Sequence, residues 1–172
     1  KASNTYKYFT SEAQQLTAPA RPSAPSYTID YETETTVENV IATVEYAEDS
    51  DFTTALQTGE GSPAILTPGT NLWFRTKASN TEQNFTGNAQ ALGVPARPNP
   101  QVYSIYYSSE RTWEAAFSYT QWAEDANFTI NTETGTGSVI YLTPGTSLYI
   151  RQLARPALNR FKSETFFLQV PA

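Results

Sequence analysis

The sequence aligns with itself without gaps at an offset of 76 residues, the distance from Pro22 to Pro98. Ala20-Arg21-Pro22 falls on Ala96-Arg97-Pro98, and Tyr27-x-Ile29-x-Tyr31 on Tyr103-x-Ile105-x-Tyr107. Ala47-Glu48-Asp49-x-x-Phe52-Thr53 falls on Ala123-Glu124-Asp125-x-x-Phe128-Thr129, and Leu66-Thr67-Pro68-Gly69-Thr70-x-Leu72 on Leu142-Thr143-Pro144-Gly145-Thr146-x-Leu148. A duplication in register over two whole units calls for one fold built twice, each copy around its own core. The offset also runs backwards, Lys1-Ala2-Ser3-Asn4-Thr5 matching Lys77-Ala78-Ser79-Asn80-Thr81. The expected organisation is therefore the last hairpin of a preceding unit at residues 1–19, a first complete unit at 20–95 and a second at 96–172, in an array that continues beyond both ends.

Within each unit the apolar residues alternate with period two, the signature of half-buried strands. Tyr27, Ile29 and Tyr31 share one face of a first strand, and residues 40–46 read as a second with Val44 and Tyr46 on one side. Leu72 and Phe74 face opposite to Trp73 and Arg75 in a third, repeated by Leu148 and Ile150 against Tyr149 and Arg151. Acidic and Gly-containing turns separate the runs at the spacing of an all-β sandwich, and Pro68-Gly69 and Pro144-Gly145 suit a type II turn. Tyr46 and Trp122, again 76 residues apart, are the expected core aromatics. The joints at residues 18–22 and 94–98 contain prolines, which hold φ and favour extended neighbours, so the linkers should be short and semi-rigid.

Leu66-x-Pro68-Gly69-Thr70-x-Leu72-x-Phe74-Arg75-x-x-Ala78 resembles the turn and penultimate strand of a fibronectin type III domain. The whole unit, ending in Val94-Pro95-Ala96-Arg97-Pro98, is similar to the short fibronectin-III-like, immunoglobulin-like repeats of bacterial cell-surface proteins. The tyrosine that makes a corner hydrogen bond in many such domains is leucine here, Leu72 and Leu148, and the unit is short for the family. The resemblance implies an all-β fold of tandem antiparallel β-sandwiches joined by Pro-containing linkers, in an exported protein at the cell surface.

Composition narrows the chemistry. The net charge of −6 argues against nucleic acid and against an anionic membrane surface as partners. Cysteine and histidine are absent, which removes disulfides, thiolate nucleophiles, imidazole bases and the common transition-metal ligands. No stretch reaches the ~20 apolar residues of a membrane span, so no membrane insertion is expected of this sequence. The repeated carboxylate pairs Glu34/Glu38 and Glu110/Glu114 would need a cleft to act as a glycosidase pair, and small sandwiches rarely supply one. No enzyme activity is expected. The four lysines, Lys1, Lys7, Lys77 and Lys162, occupy no equivalent places in the two complete units, which argues against an isopeptide lock in every repeat.

Two features remain as candidate sites. The acidic turn Glu48-Asp49-Ser50-Asp51 and its counterpart Glu124, Asp125 and Asn127 form an oxygen-rich cluster suited to calcium; the competing reading is that Asp and Asn stand there as turn formers. No other cofactor is expected. Trp73 with Arg75, and Tyr149 with Arg151, form outward aromatic-cation faces that serve either as a binding platform or as a cross-strand ladder covering the sheet. Trp113, where the first unit has Val37, is the platform candidate unique to one unit. The leading expectation is a non-catalytic spacer of an extracellular adhesin, stalk or filament, its partners being neighbouring repeats and, through residues 1–19, a strand added in trans. The alternative is a module that binds a surface glycan or protein through those aromatics.

Overall fold

The computed structural model describes residues 12–172. Most of the expected leading hairpin, and with it the idea of strand addition in trans, lies outside the described residues; from 12 to 28 the chain forms no strand. Beyond that point the fold is all-β, antiparallel strands being interrupted by single 3-10 turns at Tyr107–Ser109 and Pro156–Leu158.

In the first half β1 (Ile29–Asp30), β2 (Thr35–Val40) and β5 (Ser62–Ile65) make a three-stranded antiparallel sheet with β2 in the middle. The strands β3 (Val44–Ala47), β4 (Gln57–Thr58), β6 (Leu72–Thr76) and β7 (Gln90–Leu92) make a four-stranded sheet in the order β4-β3-β6-β7. The second half repeats both sheets strand for strand at the 76-residue offset. There β8 (Ile105–Tyr106), β9 (Arg111–Ala116) and β12 (Ser138–Tyr141) form the smaller sheet. The larger is formed by β10 (Thr120–Ala123), β11 (Glu133–Thr134), β13 (Leu148–Gln152) and β14 (Phe166–Leu168).

Each pair of sheets encloses its own apolar cluster. Val40, Ala64, Val44, Leu72, Phe74 and Leu92 bring residues of both sheets together in the first; Ala116, Ile140, Leu148, Ile150 and Leu168 do so in the second. The alternation along β6 and β13 is as expected, with Leu72, Phe74, Leu148 and Ile150 inside. Tyr46 and Trp122 are not central. Both are half-buried against the margin of their clusters, and Tyr46 stacks on the fully buried Phe74 at 5.4 Å while its hydroxyl donates to Gln57 Oε1 at 2.7 Å. A phenol keeps its polar tip at a wet edge because burial would orphan the hydroxyl.

Residues 40–46 do not form one strand. Val40 closes β2 in one sheet, a tight turn joins Val44 N–H to the Ile41 carbonyl at 2.9 Å, and Val44 opens β3 in the other sheet. Gly59 allows this crossover, for a Cβ there would overlap the carbonyl oxygens of Val40 and Ile41; Gly135 stands in the same relation to Ala116 and Phe117. The register between β2 and β5 shifts between Thr35 and Asn39, and the buried Thr36 hydroxyl bridges the irregularity. It donates to the Glu38 carbonyl at 2.8 Å and accepts from Ala64 N–H at 2.9 Å. Thr112 repeats the device with the Glu114 carbonyl and Ile140 N–H, at 2.8 and 3.0 Å.

The Pro-Gly turns behave as their residues demand. Thr70 N–H reaches the Thr67 carbonyl at 2.9 Å, Gly69 takes φ +92°, and its N–H binds the Pro95 carbonyl at 3.0 Å. Gly145 does the same with Pro171 at 2.8 Å. Each turn therefore ties the proline-bearing joint back onto the sandwich that precedes it.

Candidate functional site

The two acidic turns are closed by their own backbone. Asp49 accepts from Asp51 N–H at 2.8 Å, from Thr53 N–H at 3.1 Å and from Thr54 N–H. Hydrogen bonding, chiefly from the Thr54 side chain and then from the backbone of Thr53, Thr54 and Asp51, outweighs desolvation and holds its carboxyl at about 2. Asp125 accepts from Asn127, Thr129 and Ile130 N–H at 3.1, 2.7 and 2.7 Å and from the Thr129 hydroxyl at 2.9 Å. Desolvation raises its pKa, and these bonds together outweigh it and lower the pKa. The carboxylate lone pairs that calcium would need are thus already directed at N–H donors. Among the described residues no group of three or more His, Cys, Asp or Glu side chains, Glu48, Asp51 and Glu124 included, is placed to hold a metal ion; Asn127 is bound to Asp125 through its N–H. The turn-forming reading of the cluster accounts for the geometry.

The same turn explains the Asp-x-x-Phe-Thr motif. Phe52 and Phe128 both sit at φ 59°, an unusual conformation for a bulky residue, costing of order 1–3 kcal/mol. That conformation brings each ring beneath a guanidinium, Arg75 over Phe52 and Arg151 over Phe128, each 3.7 Å from the ring centroid. Arg75 also pairs with Glu45 across the sheet at 2.6 Å, whereas Arg151 donates to neutral Gln121 at 2.9 and 2.6 Å. Burial pushes the Arg151 pKa down. Tyr149 packs on Phe167 at 5.0 Å, and Trp73 lies half-buried between its strand partners Ala47 and Ala91. These residues form cross-strand ladders over the four-stranded sheets rather than one convergent platform.

Trp113 is placed differently. It projects from the outer face of the smaller sheet, is 59 % exposed, and lies 4.3 Å from the Tyr106 ring. Arg111 is the strand partner of both Tyr106 and Tyr141, and its guanidinium lies 5.0 Å above the Tyr106 ring; Tyr141 is 78 % exposed. Tyr106, Arg111, Trp113 and Tyr141 thus make an open aromatic-cationic face. Their counterparts in the first half are Asp30, Thr35, Val37 and Ile65.

The most developed constellation lies where the two sandwiches meet. Phe161, on the long β13–β14 connection, is 1 % exposed and belongs to the core cluster of the first sandwich, with Leu66 and Val94. Its ring lies 5.1 Å from that of Tyr31. Beside it Arg97, from the joint, makes a two-point pair with Glu34 at 2.8 and 2.7 Å and donates to the Lys162 carbonyl at 3.1 Å. Lys162 Nζ adds 3.5 Å to Glu34, and Glu164 reaches Arg97 at 3.2 Å. Hydrogen bonding from Arg97 lowers the Glu34 pKa despite partial desolvation, and raises that of Arg97 in return. Two-point guanidinium-carboxylate pairs restrict orientation as well as distance.

The carboxylate pairs noted in the sequence are split by this arrangement. Glu34 faces the joint, while Glu38 accepts from Thr28 N–H and hydroxyl at 2.7 and 2.8 Å. Glu114 does likewise with Ser104, at 2.7 Å for both contacts. Sequence reasoning missed the roles of Phe161, Arg97 and Glu34, although the recurrence of Arg21/Arg97, Glu34/Glu110 and Phe85/Phe161 at the repeat offset was a signal for them. No protein-family model, no curated protein and no solved structure matches the chain.

Proposed function

We propose that this chain is a rigid, non-catalytic spacer: tandem fibronectin type III-like, immunoglobulin-like sandwiches from an extracellular bacterial adhesin, stalk or surface filament. The strand order β1-β2-β5 against β4-β3-β6-β7, repeated at a constant offset, supports the sandwich assignment. The observation that carries the spacer reading is the interlock of Phe161 and Arg97 with Tyr31 and Glu34. A joint of prolines alone limits bending; a joint that also buries a ring and a two-point ion pair across it resists both bending and twisting. Reach, the property a stalk needs, follows from such stiffness. Small-angle scattering of the chain should give one extended shape independent of salt up to moderate ionic strength. A spread of interdomain angles like that of a flexible linker would refute the spacer.

A second reading rests on the Tyr106, Arg111, Trp113 and Tyr141 face, whose exposed rings suit stacking against a sugar or a partner protein. Glycan-array or cell-surface binding abolished by Trp113→Ala and untouched by Phe161→Ala would favour it.

A further inference from the structure

The far end of the second sandwich repeats the docking site that receives Phe161. Ile105, Tyr107, Glu110, Leu142 and Val170 line an open cavity of about 330 Å³. Their counterparts 76 residues earlier are Ile29, Tyr31, Glu34, Leu66 and Val94, each the same amino acid. Those are the residues that pack with Phe161 or pair with Arg97. Glu110 also shares the left-handed backbone of Glu34, φ 46° against 59°. Tyr107, the counterpart of half-buried Tyr31, is 70 % exposed.

We propose that this cavity is the docking socket for a further copy of the 76-residue unit, entering head to tail with its phenylalanine against Tyr107 and its joint arginine on Glu110. The inference rests on the spacer reading and deepens it by naming the partner. Charge and shape both select that occupant: the filled site takes one aromatic ring and one guanidinium, and the open site offers the same apolar walls and the same acid. The first unit carries the counterpart of the incoming half. Arg21 donates to the Thr86 carbonyl as Arg97 does to the Lys162 carbonyl, and the adjacent Phe85 is 48 % exposed where Phe161 is buried. The contact is far smaller than the ~1,200 Å² of a stable complex between separate molecules. It closes when the incoming copy is joined directly after Ala172, where the short linker supplies a high effective concentration.

The test is a three-unit chain, the whole present sequence with a second copy of residues 97–172 appended after Ala172. Amide exchange at residues 105–110 should slow at least tenfold relative to the two-unit chain, and the transition of the second sandwich should rise by roughly 5 °C or more. Tyr107→Ala, an exposed position that leaves the two-unit chain folded, and the milder Glu110→Gln should each reverse part of the gain. Unchanged exchange at 105–110 and an unchanged transition in the three-unit chain would overturn the proposal. Phe161→Ala in the two-unit chain separates the two failures. If it uncouples the sandwiches while the added unit leaves the socket unprotected, only the partner is wrong; if it uncouples nothing, the spacer reading falls as well.

Discussion

Replacing Phe161 by alanine should uncouple the two sandwiches, and an internal control makes the effect readable. The ring is 1 % exposed and packs in the core cluster of the first sandwich although it belongs to the second. Burying a phenylalanine removes about 150–250 Å² from water, and Phe→Ala changes in cores cost about 3–5 kcal/mol. Here the emptied site would open to solvent, as the homologous cavity does, so the cavity penalty is relieved and the lower end, about 3 kcal/mol, is expected. In a unit of this size that lowers the first sandwich's transition by about 12–24 °C. Phe85 is the same residue at the equivalent place, 48 % exposed. Phe85→Ala should cost no more than about 1.5 kcal/mol, in keeping with half the buried area. Calorimetry of the two variants decides the matter: Phe161→Ala should split the unfolding into two separated transitions, and Phe85→Ala should not. Equal losses from both would refute the claim that Phe161 couples the sandwiches.

Glu34→Gln should weaken the same joint by about 1–2 kcal/mol, between the values for exposed and fully buried ion pairs, read as a fall in the first sandwich's transition that Glu110→Gln does not reproduce. The folded pKa of Glu34 lies below its ordinary value of 4.5, so its contribution is complete above that pH and disappears as pH falls through the lowered value; scattering should show the joint loosening in that range and not above it. Thr112→Val leaves Ile140 N–H without its buried acceptor and should cost the second sandwich about 1–3 kcal/mol in denaturant unfolding, with Thr36→Val doing the same to the first. Asp49, held at about 2, stabilises its turn fully above the ordinary Asp range near pH 4 and ceases to do so as pH falls toward 2. Asp49→Asn should therefore lower the neutral-pH transition and flatten its decline between pH 4 and 2, and an unaltered acid profile would show that the carboxylate has no structural role.

Much of the fold was legible because it is carried by local pattern. Leu72 and Phe74 alternate with Trp73 and Arg75, and the turn at Pro68-Gly69 needs only residues whose φ preferences match it. The crossover at residues 41–43 was not legible, because Ile41 continues the apolar run although it is exposed, and nothing local says that Val40 and Val44 belong to different sheets. The candidate faces were read in part. Arg75 and Arg151 do stand over rings, but the rings are Phe52 and Phe128, delivered by a left-handed backbone that no propensity favours for phenylalanine. The interlock was hidden for another reason. Any Arg can pair with any Glu on paper, and only the folded chain shows that Arg97 meets Glu34 while Phe161, flanked by the variable Arg160 and Lys162, reaches back to Tyr31.

Because Phe161 belongs to the later sandwich, the interior of the earlier one is completed by a ring from outside it. During synthesis, residues up to about 95 can collapse into their sheets while the patch around Tyr31 stays wet. It dries only once the β13–β14 connection has emerged and folded, so the later sandwich seals the earlier one.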